Sequence, residues 1–443
     1  MDIPARQEKP FEVTNRLVLA IAVPMTLAYL TTPLVGLVDT AVIGQLGSAS
    51  LIGGVAIGSM LFSVLFTTFN FLRSGTTGLT AQAFGAGDRE AELATLIRAG
   101  IIALIAGVAI ALLNGPLLDL FLLLMRPSAE VAAQTGVYFS IRSVSAPFGL
   151  LNYALLGWFI GLGRSGTGLL LQAALGALNI ALSIWFVTGL DAGIAGVAWA
   201  TVIAEAVTAV AGTAIAVRTL SGRWRISGAA LFDARALRRM LSVNRDIMIR
   251  SFLLIGTFAA FTAAGARTGD IILAANAILL NFFLFAGYFL DGFATAAEQL
   301  CGRALGARWR PAFDRAVRLT FLWGGALAGV ACLFMLLGGN GLVALMTTSQ
   351  AVREAAMTYL PWAALTPLTG VVAFQFDGIY IGATWSREMR NTMIVSTALF
   401  ALVLWLAGPL LGNHGLWLAL NLFLAMRGLG LFVLLPKKRV SSF

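Results

Sequence analysis

The sequence predicts an all-α integral membrane protein with twelve transmembrane helices in two pseudo-symmetric six-helix bundles. Two observations carry this expectation. Of the 443 residues, 59% are hydrophobic and 11% are charged, against about a quarter charged in soluble domains, so no water-soluble core accounts for so much apolar surface. In addition, the second half tracks the first at a constant offset of 221 residues. Gly44, Ala56, Ile57, Phe62, Leu79, Ala83, Gly85, Ala86, Arg89 and Ala91 recur as Gly265, Ala277, Ile278, Phe283, Leu300, Ala304, Gly306, Ala307, Arg310 and Ala312. Gly157, Ile160, Gly161 and Ser165 recur as Gly378, Ile381, Gly382 and Ser386 with no gap between.

Stretches of about 20 apolar residues cross a hydrocarbon core of about 30 Å. Six such stretches fall in the first repeat, at 17–46, 51–72, 95–118, 137–162, 168–189 and 193–217, and define a bundle over residues 1–217. An Arg-rich segment at 218–246 reads as a cytoplasmic interdomain linker, with a short amphipathic helix around Phe232 to Leu241 lying at the inner membrane surface. Six further stretches, at 247–268, 271–300, 317–338, 357–383, 392–411 and 414–435, define the second bundle, 247–443, which ends in a short basic tail. Internal symmetry of this length marks transporters built from two repeats, with a substrate site near the bilayer midplane.

Orientation follows from the cations. With the N-terminus inside, Arg6, Lys9, Arg16, the even-numbered loops and the tail Lys437-Lys438-Arg439 hold most of the 30 Lys and Arg. Arg126, Arg142, Arg267 and Arg353 are left outside. The positive-inside rule then makes both termini cytoplasmic in a multi-pass protein of a prokaryotic inner membrane. The net charge of +10 is an orientation signal spread through short loops, so no nucleic-acid partner is expected. The apolar run from Leu17 continues past Pro33 without a small-residue cleavage site, unlike a cleaved signal peptide.

Other classes are disfavoured by what the chain contains. Two cysteines, Cys301 and Cys332, imply no disulfide framework, and with a single histidine, His414, no metal cluster or intramembrane nucleophile–base pair is expected. No cofactor is expected either. Gly161-Leu-Gly163-Arg-Ser-Gly166 matches a dinucleotide fingerprint by letter, but it ends an apolar helix and lacks the strand–helix context. Gly157/Gly161 and their repeats Gly378/Gly382 read instead as pairs of small residues that let helix backbones approach closely.

Ionisable and polar residues inside apolar spans carry the functional signal, because such groups are costly in hydrocarbon and by default face a cavity or a partner. Asp39 lies on the first span below Pro24 and Pro33, which remove backbone hydrogen bonds and permit a bend. A rise of 1.5 Å per residue puts Asp39, Asn179 and Thr201 at one depth, about 10–15 Å below the outer face. Ser183 is one turn from Asn179, and Glu205 one turn deeper than Thr201. Together they can form a polar cluster around a carboxylate that holds a proton or a small cation. The alternative is that these groups only hydrogen-bond neighbouring helices.

Several segments together resemble the multidrug and toxic compound extrusion (MATE) family, and within it the DNA-damage-inducible protein F-like subfamily. They are Pro24 to Asp39 with Val38-Asp39-Thr40, Ala81-Gln-Ala-Phe-Gly-Ala-Gly-Asp88, Asn179 with Ala198-Trp-Ala-Thr201, and Phe376-Asp-Gly-Ile-Tyr-Ile-Gly-Ala383 followed by Arg387-Glu-Met-Arg390. The resemblance covers nearly the whole chain. It implies a fold of the MATE type, with two six-helix bundles around a V-shaped cavity, and efflux of organic compounds driven by protons or sodium. It further implies that Asp39 is the coupling residue, that Asn179 and Thr201 surround it, and that Pro24 is the bending point of the first helix. Ser183 departs from the family pattern, in which many relatives carry a second carboxylate four residues after the asparagine; one negative charge fewer favours protons over sodium.

Asp291 and Glu298 share one face of the eighth span and Asp377 lies on the tenth. They can recognise cations in an inward-facing cavity or pair with Arg303, Arg387 or Arg390. The phenylalanines of the eighth span, Phe282-Phe-Leu-Phe285 with Phe289, suit aromatic or amphipathic substrates. The expected function is therefore export of organic, cationic or amphipathic compounds in exchange for protons by alternating access, by a monomer in contact with lipid. The alternatives are a sodium-coupled drug antiporter and a lipid-linked precursor flippase of the same superfamily.

Overall fold

The computed structural model describes residues 11–220 and 227–443. Arg6 and Lys9, and residues 221–226 of the expected linker, lie outside the described residues. The described chain is almost wholly helical. Helices α1 (Asn15–Gly44), α2 (Ala49–Thr68), α3 (Phe71–Ala86), α4 (Arg89–Leu112), α5 (Asn114–Met125), α6 (Ala129–Ser143), α7 (Ala146–Gly161), α8 (Ser165–Ile184) and α9 (Gly193–Thr219) build the first repeat. The second contains α11 (Ala234–Ala266), α12 (Asp270–Gly306), α13 (Arg310–Met346), α14 (Gln350–Gly382), α15 (Ser386–Leu411) and α16 (Asn413–Ser442), preceded by the one-turn α10 (Gly228–Leu231). Among the described residues, eleven segments are long and apolar enough to cross a membrane, and α6 with α7, bent by 54° between them, makes up to twelve.

Two local expectations change. The linker helix is not separate: Asp233 caps the backbone amides of Arg235 and Ala236 at 3.1 and 3.2 Å and starts α11, which then runs unbroken to Ala266. With no Gly or Pro between Ala234 and Gly256, nothing stops the helix at the membrane surface. The fourth span is broken, because α6 ends at Ser143 and α7 restarts with Pro147 in its first turn, where the missing proline N–H costs no hydrogen bond. By contrast α1 is helical throughout, across both Pro24 and Pro33.

By internal contacts the described chain forms two compact units. Among the described residues, the first comprises 11–26, 81–88 and 252–443, and the second 27–80, 89–220 and 227–251. In the first, α12 and α14 cross closely. A Cβ on Gly378 would lie 2.0 Å from the Ala294 carbonyl oxygen, and one on Gly382 would lie 2.1 Å from that of Glu298. In the second, Gly157 meets the Arg73 carbonyl at 2.3 Å and Gly161 meets that of Thr77 at 2.9 Å in the same sense. Each of these four contacts maps onto its counterpart at the 221-residue offset, so the repeat is a repeat of packing. Only a residue without a side chain allows backbones this near.

Within the first unit the pattern is reciprocal as well. Gly85 lies against the Arg303 carbonyl and Gly306 against that of Gln82, at 2.0 and 1.9 Å for an added Cβ. The Gln82 side-chain amide then donates to the Gly382 carbonyl at 2.8 Å and to Thr384 Oγ1 at 3.2 Å. Turn geometry repeats too: Gly163 and Thr384 both adopt positive φ, and the following amides close on Phe159 and Tyr380, each at 2.8 Å.

Candidate ion and substrate site

The second unit encloses a cavity of about 390 Å³ between helices of the first repeat. Its wall is Asp39 and Thr31 from α1, Phe62 and Phe66 from α2, Tyr138 and Arg142 from α6, Asn152 and Tyr153 from α7, Asn179 from α8, and Thr201 and Glu205 from α9, among others. The sequence-expected cluster thus lies in one place. Asp39 is 7% exposed, and its Oδ1 accepts from the Ser183 hydroxyl at 2.8 Å. Asn179 donates its amide to Thr201 Oγ1 at 2.8 Å, while the same hydroxyl donates to the Val197 carbonyl at 3.2 Å. Asn179 Oδ1 is buried without a hydrogen-bond partner. Two residues beyond Ser183, α8 gives way to a π-helical turn over Trp185–Gly189, an irregularity of the kind often found at functional sites.

Glu205 is also on the wall, but in a different bonding state. Its Oε1 accepts from Arg142 Nη1 at 3.1 Å, and its own backbone carbonyl accepts from the Asn152 amide at 3.0 Å. Oε2 is buried with no hydrogen-bond partner. Arg142 stacks over the Phe62 ring at 5.0 Å, and its charge reaches Asp39 as well as Glu205. Gly149 makes the room: a Cβ there would lie 2.7 Å from Glu205 Oε2 and 2.6 Å from Phe66 Cε1.

Arg142, Asn152 and Gly149 were not among the expected site residues. Counting cations by side gave Arg142 no role in the site; the structure places it, partly buried, in the last turn of α6, at the break in the fourth span. A signal was available, since position 142 falls within the expected span 137–162 and an arginine in an apolar span is costly unless paired.

The second-repeat carboxylates belong to the other unit. Asp377 accepts from Arg427 Nη2 of α16 at 2.6 Å, a pairing not among those expected. Arg303 instead lies over the rings of Phe11 and Phe84, at 4.1 and 4.9 Å, and Arg390 donates to Asn391. Glu298 is buried on α12, and Asp291 is partly buried and accepts the Thr295 hydroxyl on its backbone carbonyl at 2.8 Å. Phe282, Phe285 and Phe289 line an apolar groove of about 480 Å³.

At the 221-residue offset, Asp39, Arg142, Asn179 and Ser183 correspond to Ala260, Ala363, Phe400 and Leu404. Ala260, Phe400 and Leu404 line an apolar groove of about 600 Å³. The same helical frame therefore forms without any of these polar groups. Their presence in one repeat is not a requirement of the fold.

A multi-span helical protein of two repeats, with a polar cavity between its apolar helices, has the architecture of a secondary transporter. The MatE family model matches residues 24–185 and 247–406, and the chain belongs to the MATE family of multidrug efflux transporters, which are not enzymes. It is 44% identical to DNA damage-inducible protein F of Escherichia coli over 93% of this chain and 90% of that protein. It is 27% identical to a probable multidrug resistance protein NorM of Caulobacter vibrioides over 100% and 91% of the two chains. Among solved structures, an outward-facing multidrug resistance MATE family transporter of the MOP superfamily is similar with TM-score 0.89, at 17% identity and with 100% and 99% of the chains covered. The Vibrio cholerae MATE transporter VcmN in its bent form follows with TM-score 0.86, at 22% identity over 97% of each.

Proposed function

We propose that the protein exports organic compounds of cationic or amphipathic character in exchange for protons, with Asp39 as the proton-carrying group. The reading has two bundles, 1–217 and 247–443, joined by the linker 218–246, in a monomer spanning a prokaryotic inner membrane with both termini in the cytoplasm. One observation carries it: a buried carboxylate on the wall of a cavity, held by the neutral Ser183 hydroxyl at 2.8 Å. A proton removes its charge at once, and substrate and proton then compete for one negative group. Asn179 and Thr201, joined at 2.8 Å, set the polar floor beside it. Pro24, which has no N–H to add to the helical ladder, is the point at which α1 bends as Asp39 changes charge, and Pro33 loosens the turn above. Asp291, Glu298 and Asp377 serve as structural or gating carboxylates.

Ser183 in place of a carboxylate favours protons over sodium. The similarity to a probable NorM-type multidrug resistance protein supports a drug-like substrate range. A flippase for lipid-linked precursors wants an uncompensated cationic lining for phosphates, and the one cation on this cavity wall, Arg142, is bonded to Glu205. The reading is tested by loading proteoliposomes with a fluorescent cationic dye and imposing a pH or a sodium gradient separately. Export driven by the pH gradient alone is expected. Export that follows sodium and ignores pH overturns it.

A further inference from the structure

We propose that Arg142 is the resident cation of the Asp39 cavity: by pairing with Glu205 it leaves Asp39 the one carboxylate on the wall outside an ion pair and closes the site to sodium. The proposal rests on the proton-coupled reading above and adds a residue that sets its ion specificity.

The wall would otherwise suit a hard monovalent cation. Such ions take oxygen ligands, and the cavity presents the Asp39 carboxylate, the Thr201 hydroxyl, and two buried oxygens with no hydrogen-bond partner, Asn179 Oδ1 and Glu205 Oε2. The titratable and charged groups facing this space are Asp39 from α1, Tyr138 and Arg142 from α6, Tyr153 from α7 and Glu205 from α9. Two carboxylates alone would give a double negative charge in a low-dielectric pocket, where an added cation is held strongly. Arg142 fills that electrostatic role from within the chain. Its guanidinium is 3.1 Å from Glu205, is stacked on Phe62 and is within electrostatic range of Asp39.

An arginine stays charged at any working pH, so Arg142 cannot leave by deprotonation, and sodium must compete with a cation tethered at high effective concentration. A proton is different, since it needs no ligand shell and one carboxylate accepts it. The placement is specific: Gly149 vacates the volume beside Glu205 Oε2, Asn152 pins the α9 backbone at Glu205, and the repeat-related position of Arg142 is Ala363.

The test is sodium binding by the full-length protein in detergent, followed by thermal unfolding and tryptophan fluorescence in sodium chloride against choline chloride. The unaltered protein and Arg142→Lys are expected to respond equally to the two salts. Arg142→Gln is expected to gain a sodium-specific response in the millimolar range, weakened at least tenfold in Arg142→Gln/Glu205→Gln. Arg142→Met, which keeps the aliphatic packing on Phe62, takes its place where Arg142→Gln does not fold. A folded neutral variant that stays blind to sodium overturns the proposal, as does a sodium response in the unaltered protein. Binding is read without transport, so an export assay that fails to follow the pH gradient overturns the proton reading alone.

Discussion

A carboxylate at membrane depth is tolerated when its environment compensates it, and this cavity compensates its two carboxylates in different ways. Asp39 has a neutral hydroxyl, and Glu205 has a guanidinium. Removing one member of a buried pair strands the other, at a cost of about 3–5 kcal/mol, whereas replacing both with apolar groups of similar size is often neutral. Glu205→Leu alone is therefore expected to lower the detergent melting temperature well below that of Arg142→Met/Glu205→Leu. A single variant as stable as the double would contradict a paired Glu205. Gly149→Ala places a methyl group 2.6 Å from Phe66 and 2.7 Å from Glu205, an overpacking expected to cost about 1–3 kcal/mol and visible in the same melt. At this scale the sequence was partly legible. Asp39, Asn179 and Thr201 could be singled out because helical rise predicts a common depth for these polar residues, with Ser183 and Glu205 one turn away. Arg142 was not, because cations were sorted by side of the membrane, and Arg427 was not, because a partner 50 residues along the chain from Asp377 leaves no local pattern.

At the scale of elements, the close crossings are set by glycine and the flexible ones by proline. Gly378→Ala and Gly382→Ala drive a Cβ into backbone carbonyls at 2.0 and 2.1 Å, whereas Gly325→Ala and Gly329→Ala meet nothing within 4 Å. The first pair is expected to reduce the yield of folded protein sharply, and the second pair to leave it unchanged, by size-exclusion profile and melting temperature. These crossings were legible in the paired glycines at the 221-residue offset. The merger of the linker helix into α11 was not, because a basic amphipathic segment reads the same whether it stops or continues. For α1, Pro24→Ala restores an N–H donor and the regular ladder. It is expected to slow dye export several-fold while leaving equilibrium dye binding in detergent unchanged; unaltered turnover would remove Pro24 from the mechanism.

At the scale of the whole molecule, the duplicated helical frame is legible because twenty-residue apolar runs and repeated packing glycines both leave periodic marks. What differs between the copies carries the function. One repeat puts Asp39, Asn179 and Arg142 on a polar cavity, with Ser183 bonded to Asp39 behind them, and the other sets Ala260, Phe400 and Leu404 along an apolar groove. Duplication gives the scaffold, and on the proposed reading divergence restricts the ion chemistry to the first copy. The central claim is that substrate and proton exchange at Asp39. It is tested most directly by measuring proton release with a pH indicator when a cationic dye is added to the purified protein in weakly buffered detergent, for the unaltered chain and for Asp39→Asn. Dye binding is expected to release protons from the unaltered protein and none from the variant, whereas equal release from both would contradict the account.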